Sequence, residues 1–430
     1  MQPRQIEYKD LITGILLSVF LCVFRLAIQS IVSVNEGQGW DGTFYYRMAL
    51  GNLAEAELPF RLRVGVPLLV QLIPKLDVLL RFQIVNLTFA FLFSVVCYVG
   101  ICQFSSLLST RITTWLLICG TEISPVAETA WYPAQTDAAS NFFLILVLLI
   151  CLSRNQRPIS LLILFALGTL IRENFPIFIS LICFQLTIAP ARSQVRVLVN
   201  SLKCNVTSLL NLVGATLGSI IGMAGITFIS GVSPLDGKSN TFFSVLNSHL
   251  LINTLAAGIN VYGSLGLFIL ASIINKPEGR RMVRDTMSVL MVLPLLTAIS
   301  LGGGSNTERF LFWGLVVLAF QSIPSMDNFF RRTGWPIKFL AVMSMLAFQR
   351  FLLPISTGGM AGCDVNSYFK GPSTFMGHWT QICGINYSVS LVGFYLAFVT
   401  VFVALVLLDS NTIHGEGPAG TQKKFIGLAR

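Results

Sequence analysis

The residues best equipped for chemistry stand near the start of the chain. The stretch reads Trp40-Asp41-Gly42-Thr43-Phe44-Tyr45-Tyr46, and Arg61, Arg63 and Pro67 follow. Gly39 and Gly42 permit a tight backbone on either side of Asp41 and set its carboxylate on an exposed turn. Thr43 can cap a helix that starts there. A carboxylate so placed can take a proton from a hydroxyl or orient that hydroxyl for attack. Arg61 and Arg63 offer permanently charged, planar forks that suit a phosphate, although such side chains also snorkel to lipid headgroups.

Three further places combine charge with a constrained backbone. Arg172-Glu173-Asn174 interrupts two apolar runs. These two charges can neutralise each other, yet charges at a membrane boundary that face a bundle interior are functional by default. Asp137 and Asn141 are one helical turn apart and share a face, after a segment that holds Glu122, Glu128, Trp131, Tyr132 and Gln135. An Asp at a helix start equally suits a cap. Gly302-Gly303-Gly304 lets the backbone approach a ligand closely, and Glu308 and Arg309 follow at the mouth of the next apolar run. Inside the first apolar run, Arg25 calls for an internal partner such as a carboxylate. His249, His378 and His414 are dispersed, and no Cys-x-x-Cys, P-loop or Gly-x-Ser-x-Gly occurs. No metal or other cofactor is therefore expected.

These residues must be positioned by membrane elements. Of the 430 residues 54% are hydrophobic and 11% charged, whereas soluble proteins carry roughly a quarter charged residues. Mean hydropathy is +0.74. Long apolar runs cover 11–34, 83–104, 137–152, 208–231, 260–274, 286–301, 310–323, 337–353 and 387–408, with weaker ones at 112–121, 159–171 and 175–189. The expected fold is an all-α integral membrane bundle of about twelve transmembrane helices, one membrane domain over the whole chain. The run 64–80 is interrupted by Pro67, Pro74, Lys75 and Asp77, so it reads as an interfacial or re-entrant helix.

Charge sets the topology. Alternate connections hold 18 of the 29 Lys and Arg, with seven acids. By the positive-inside rule these connections and both termini are cytoplasmic. The exoplasmic loops are then 35–82, 122–136, 172–174, 232–259, 302–309 and 354–386. Short loops do not build the contiguous basic face that nucleic acid requires. The run 11–34 is too long for the apolar core of a cleavable signal. Cys363 and Cys383 share the last exoplasmic loop, where a structural disulfide is expected.

The Trp40–Tyr46 stretch after a first span, followed by Arg61, Arg63 and Pro67, resembles the polytopic GT-C glycosyltransferases. Glu308-Arg309-Phe310 after a glycine run resembles the point where such enzymes place a basic residue near the donor phosphate. The resemblance implies a sugar donor carried on a polyprenyl phosphate and transfer at the exoplasmic face of a bacterial inner membrane. The acceptor would be an envelope glycan, lipid or protein. It implies Asp41 as the catalytic carboxylate and Arg61, Arg63, Arg172 and Arg309 as phosphate ligands. Tyr45, Tyr46, Asp137, Glu173 and Glu308 would hold substrate, and Trp131 and Tyr132 could stack on sugar rings. The stretch has no adjacent acidic pair and the chain no large C-terminal soluble domain. Rival readings are a polysaccharide polymerase or ligase, and a transporter or flippase of lipid-linked sugars. Transporters often carry internal repeats, and none is visible.

Overall fold

A computed structural model describes residues 4–153, 157–179, 197–233, 251–274, 307–352, 355 and 384–415. The described residues form thirteen α-helices: α1 Tyr8–Ile28, α2 Gly42–Ala49, α3 Gly65–Gln71, α4 Val78–Phe104, α5 Leu108–Cys119, α6 Pro125–Trp131, α7 Asp137–Ser153, α8 Pro158–Ile171, α9 Val197–Ser230, α10 Leu251–Ile274, α11 Thr307–Arg332, α12 Trp335–Phe348 and α13 Gly384–Gly415. This is an all-helical membrane fold, as the apolar runs require.

Among the described residues, four helical stretches are long and apolar enough to cross a membrane: Tyr8–Ile28, Val78–Phe104, Leu209–Ser230 and Val389–Leu408. That is fewer than the sequence leads one to expect. Other apolar helices are short: Leu108–Cys119, Asp137–Leu152, Pro158–Ile171 and Trp335–Phe348. A 14-residue helix reaches about 21 Å, less than the ~30 Å hydrocarbon core. The run at 286–301 and most of that at 175–189 lie outside the described residues. Some boundaries also move. α10 begins at Leu251 and α11 at Thr307, ahead of the apolar runs at 260 and 310, because helical hydrogen bonding does not stop at a polar residue such as Asn253, Thr254 or Glu308. The interrupted run after Val64 yields only α3, seven residues long and about 10 Å in reach.

Polar contacts sort the loops to two ends of the bundle. At one end Arg111 pairs with Asp10 at 2.9 Å, both buried. There the Arg4 N–H donates to the Gln103 carbonyl, and the Ser105 hydroxyl donates to Asp327 at 2.6 Å. At the opposite end the Arg25 guanidinium donates to the Gly120 carbonyl, so α1 and α5 run in the same direction. The connections 29–41, 120–136, 172–174 and 349–352 gather at this second end, the loop end.

Close helix packing follows from small residues. A Cβ on Gly214 would come within 2.2 Å of the Pro158 carbonyl oxygen, and one on Gly218 within 2.2 Å of that of Leu162. With Gly222, 2.7 Å from the Ala166 oxygen on the same test, these four-residue spacings lay α9 directly on the α8 backbone. Between α1 and α4 the Ser18 and Ser94 hydroxyls hydrogen-bond at 2.8 Å, and the Trp115 indole N–H of α5 reaches Ser94 as well.

Candidate functional site

The loop end places Asp41 immediately before α2. Its turn is built by the glycines that flank it. Gly39 takes φ +71°, and a Cβ there would fall 2.2 Å from the Tyr132 ring; one on Gly42 would fall 2.7 Å from Ala134. Both glycines are needed for the turn to close on the 120–136 segment. The Gly42 N–H donates to the Tyr132 hydroxyl at 2.7 Å, and Trp40 packs against Trp131 and Tyr132 with ring centroids 6.3 and 6.2 Å away. Thr43 is not the cap: its hydroxyl donates to the Trp40 carbonyl, and α2 already begins at Gly42.

The helix carries Tyr45 inward. Tyr45 is fully buried, and its hydroxyl accepts from Arg63 Nη1 at 2.6 Å. Arg63 also grips Glu173 through Nε at 2.9 Å and through Nη2 at 3.4 Å, a two-pronged buried ion pair. The Arg63 guanidinium stands over the Phe60 ring at 5.6 Å. Glu173 is held by the turn that ends α8. Arg172, its neighbour, points elsewhere: it pairs with Asp137 at the start of α7 and lies 5.3 Å over the Trp313 ring of α11. The two charges of the Arg172-Glu173 step therefore do not neutralise each other. They diverge and clamp two different elements.

Asp41 is half-buried at the edge of this cluster. Its carboxylate caps no helix N–H and makes no hydrogen bond or ion pair among the described residues, yet it acts through space on both Tyr45 and Arg63. Burial pushes the Tyr45 phenol above its ordinary value, against the pull of the Arg63 charge. Burial alone would push the Arg63 guanidinium down, but Glu173 and then Tyr45 hold it above its usual value. Asp41, Tyr45, Arg63, Glu173, Arg172 and Asp137 thus form one connected group, drawn from α2, the 60–64 turn, the end of α8 and α7.

Other expected site residues go elsewhere. Arg61 leaves the cluster and donates through Nε and Nη2 to the Ser230 carbonyl at 2.9 and 2.6 Å. It terminates α9, where carbonyls without helical partners attract a cation. Tyr46 is half-buried and packs on the apolar core. Trp131 and Tyr132 are each about 1% exposed, so their faces serve the Asp41 turn and are closed to a sugar ring. Position 309 lies in the first turn of α11, one turn ahead of Trp313, and Glu308 precedes it; their side chains lie outside the described residues. So do Cys363 and Cys383.

Two residues carry roles that sequence reasoning did not assign. Tyr132 is the hydrogen-bonding buttress of the Asp41 turn. The glycine pair that flanks Asp41 was its only signal, since glycine at both places implies a bulky neighbour. Arg350 is 1% exposed with φ +53° and lies 3.6 Å from Glu122. A lone Arg near the end of an apolar run was the sign of it. Among the described residues no three His, Cys, Asp or Glu side chains converge as a metal site would require. No family model, no curated protein and no solved structure matches the chain.

Proposed function

We propose that the chain is a membrane glycosyltransferase that moves a sugar from a polyprenyl-phosphate donor to an envelope glycan, lipid or protein. It sits in a bacterial inner membrane as a helical bundle, with both termini cytoplasmic and the loop end exoplasmic. The observation that carries the reading is Asp41. It is the one acid of the cluster with neither a cap nor an ion pair, and it stands beside a buried Arg63–Glu173–Tyr45 network. An accepting carboxylate next to fixed guanidinium groups is what glycosyl transfer from a phosphate needs.

In the proposed reaction Asp41 accepts the proton of the acceptor hydroxyl. The hydroxyl oxygen bonds to the anomeric carbon, the bond from that carbon to the phosphate oxygen breaks, and its electron pair leaves with the lipid phosphate. Arg63 and Arg172 stabilise the charge that develops on that oxygen, and Arg309 joins them from the start of α11. Glu173 and Asp137 hold the first two arginines rigid, so little reorganisation accompanies the step. Arg61 takes no part, because it closes α9.

Lipid-linked sugars and envelope glycans are compared by mass spectrometry in a strain lacking the gene and complemented with wild type or Asp41→Asn. The reading expects one sugar to disappear from a glycan, to return with wild type and to stay absent with Asp41→Asn. Full rescue by Asp41→Asn removes the transferase reading in favour of a polymerase or transporter.

A further inference from the structure

A second charged group lies at the loop end and takes no part in the proposed transfer. Arg25, in the last turn of α1, is fully buried. Its Nη2 donates to the Gly120 carbonyl, while Nε and Nη1 have no hydrogen-bond partner. Among the described residues the guanidinium forms no ion pair, and the Phe351 ring lies over it at 5.4 Å. Glu122 acts on it through space without bonding to it, and the nearer guanidinium to that carboxylate is Arg350, at 3.6 Å. Leaving a charge buried with two donors unmet is costly. A charge of this kind inside a bundle marks a ligand or ion path by default.

The surroundings name the ligand class. From Arg25 a ladder of rings leads outward: Phe351 stacks on Phe24 with centroids 5.3 Å apart, and Phe24 on Phe20 at 6.1 Å. Phe20, on the outward face of α1, is 63% exposed, and Leu352, next to Phe351 in the chain, is 68% exposed. A guanidinium suits a phosphate, and the ladder suits an acyl or prenyl chain.

We infer that Arg25 is the head-group site for an anionic lipid: the lipid phosphate takes the place of the Phe351 ring on the guanidinium, and its chain lies along Phe24 and Phe20. Glu122 competes with that phosphate for Arg25. This site is separate from the Asp41 cluster and does not depend on the transferase reading.

The test is native mass spectrometry of the purified full-length chain with dioleoyl phosphatidic acid, against dioleoylglycerol, which has the same chains and no phosphate. Wild type should retain the phosphatidic acid about tenfold better, the worth of one charge-assisted hydrogen-bonding interaction. Arg25→Gln should lose that preference, and Glu122→Gln should raise retention several-fold. Equal retention of both lipids, or wild-type retention by Arg25→Gln, overturns the site. Should Arg25→Gln not fold, Glu122→Gln decides alone, because a merely structural Glu122 would lower stability and add no lipid. Inorganic phosphate competing at the affinity of the lipid would make this a free-anion site and overturn the lipid assignment.

Discussion

Asp41 and the Arg63–Glu173 pair contribute to the site in different ways, and substitution separates them. Asp41 makes no bond that the fold depends on, so Asp41→Asn should leave thermal stability within about 0.5 kcal/mol of wild type while transfer is lost. Glu173→Gln strands a buried guanidinium and should cost about 3–5 kcal/mol. Unfolding of the detergent-solubilised variants measures both, and an unchanged midpoint for Glu173→Gln would show that the pair does not hold the site. Tyr45 adds a pH dependence. Burial raises its phenol value, so the folded state keeps a proton that the unfolded chain gives up above about pH 10. The stability tied to that proton is present below that pH and is lost as pH rises through the folded value. Tyr45→Phe should flatten that alkaline loss, at a cost of about 1.5–3 kcal/mol for the hydrogen bond to Arg63.

At the scale of elements, the Asp41 turn is only as well placed as the segment it closes on. Gly39→Ala puts a Cβ 2.2 Å from the Tyr132 ring at a φ of +71°. The left-handed backbone alone costs about 1–2 kcal/mol with a side chain present, and the ring must also move. Transfer should fall sharply while membrane insertion is unchanged; full activity would mean that Asp41 needs no fixed turn. The α8–α9 contact answers to the same geometry. Gly218→Leu collides with the Leu162 carbonyl oxygen, which cannot yield, whereas Gly225→Ala meets only the flexible end of Leu170 at 3.0 Å. The first should prevent accumulation of folded protein and the second should be tolerated, as expression in membranes will show.

For the whole molecule, the two-ended sorting of loops makes a directional prediction. Leu50 is 56% exposed at the loop end and Tyr8 is 78% exposed at the other. With the native cysteines replaced, an impermeant thiol reagent on intact cells should label Leu50→Cys and spare Tyr8→Cys. The reverse pattern would put the Asp41 cluster in the cytoplasm and end the proposed exoplasmic chemistry.

The sequence by itself determined the class of fold, because 54% hydrophobic residues in long runs have few other stable arrangements than membrane helices. It also singled out Asp41, Arg63, Arg172 and Glu173, since charge at the edge of an apolar run is conspicuous along one dimension. The tertiary structure alone decided which charges meet. Arg172 and Glu173 are adjacent in the chain and diverge in space, Arg63 and Glu173 are 110 positions apart and meet, and Arg61, two residues from Arg63, belongs to the end of α9. Pairing is a property of where helices cross, and backbone hydrogen bonding carries several helices, such as α4 and α11, past the apolar runs that hydropathy marks. For the same reason Tyr132 and Arg25 acquired their surroundings only when the 120–136 segment folded over the end of α1.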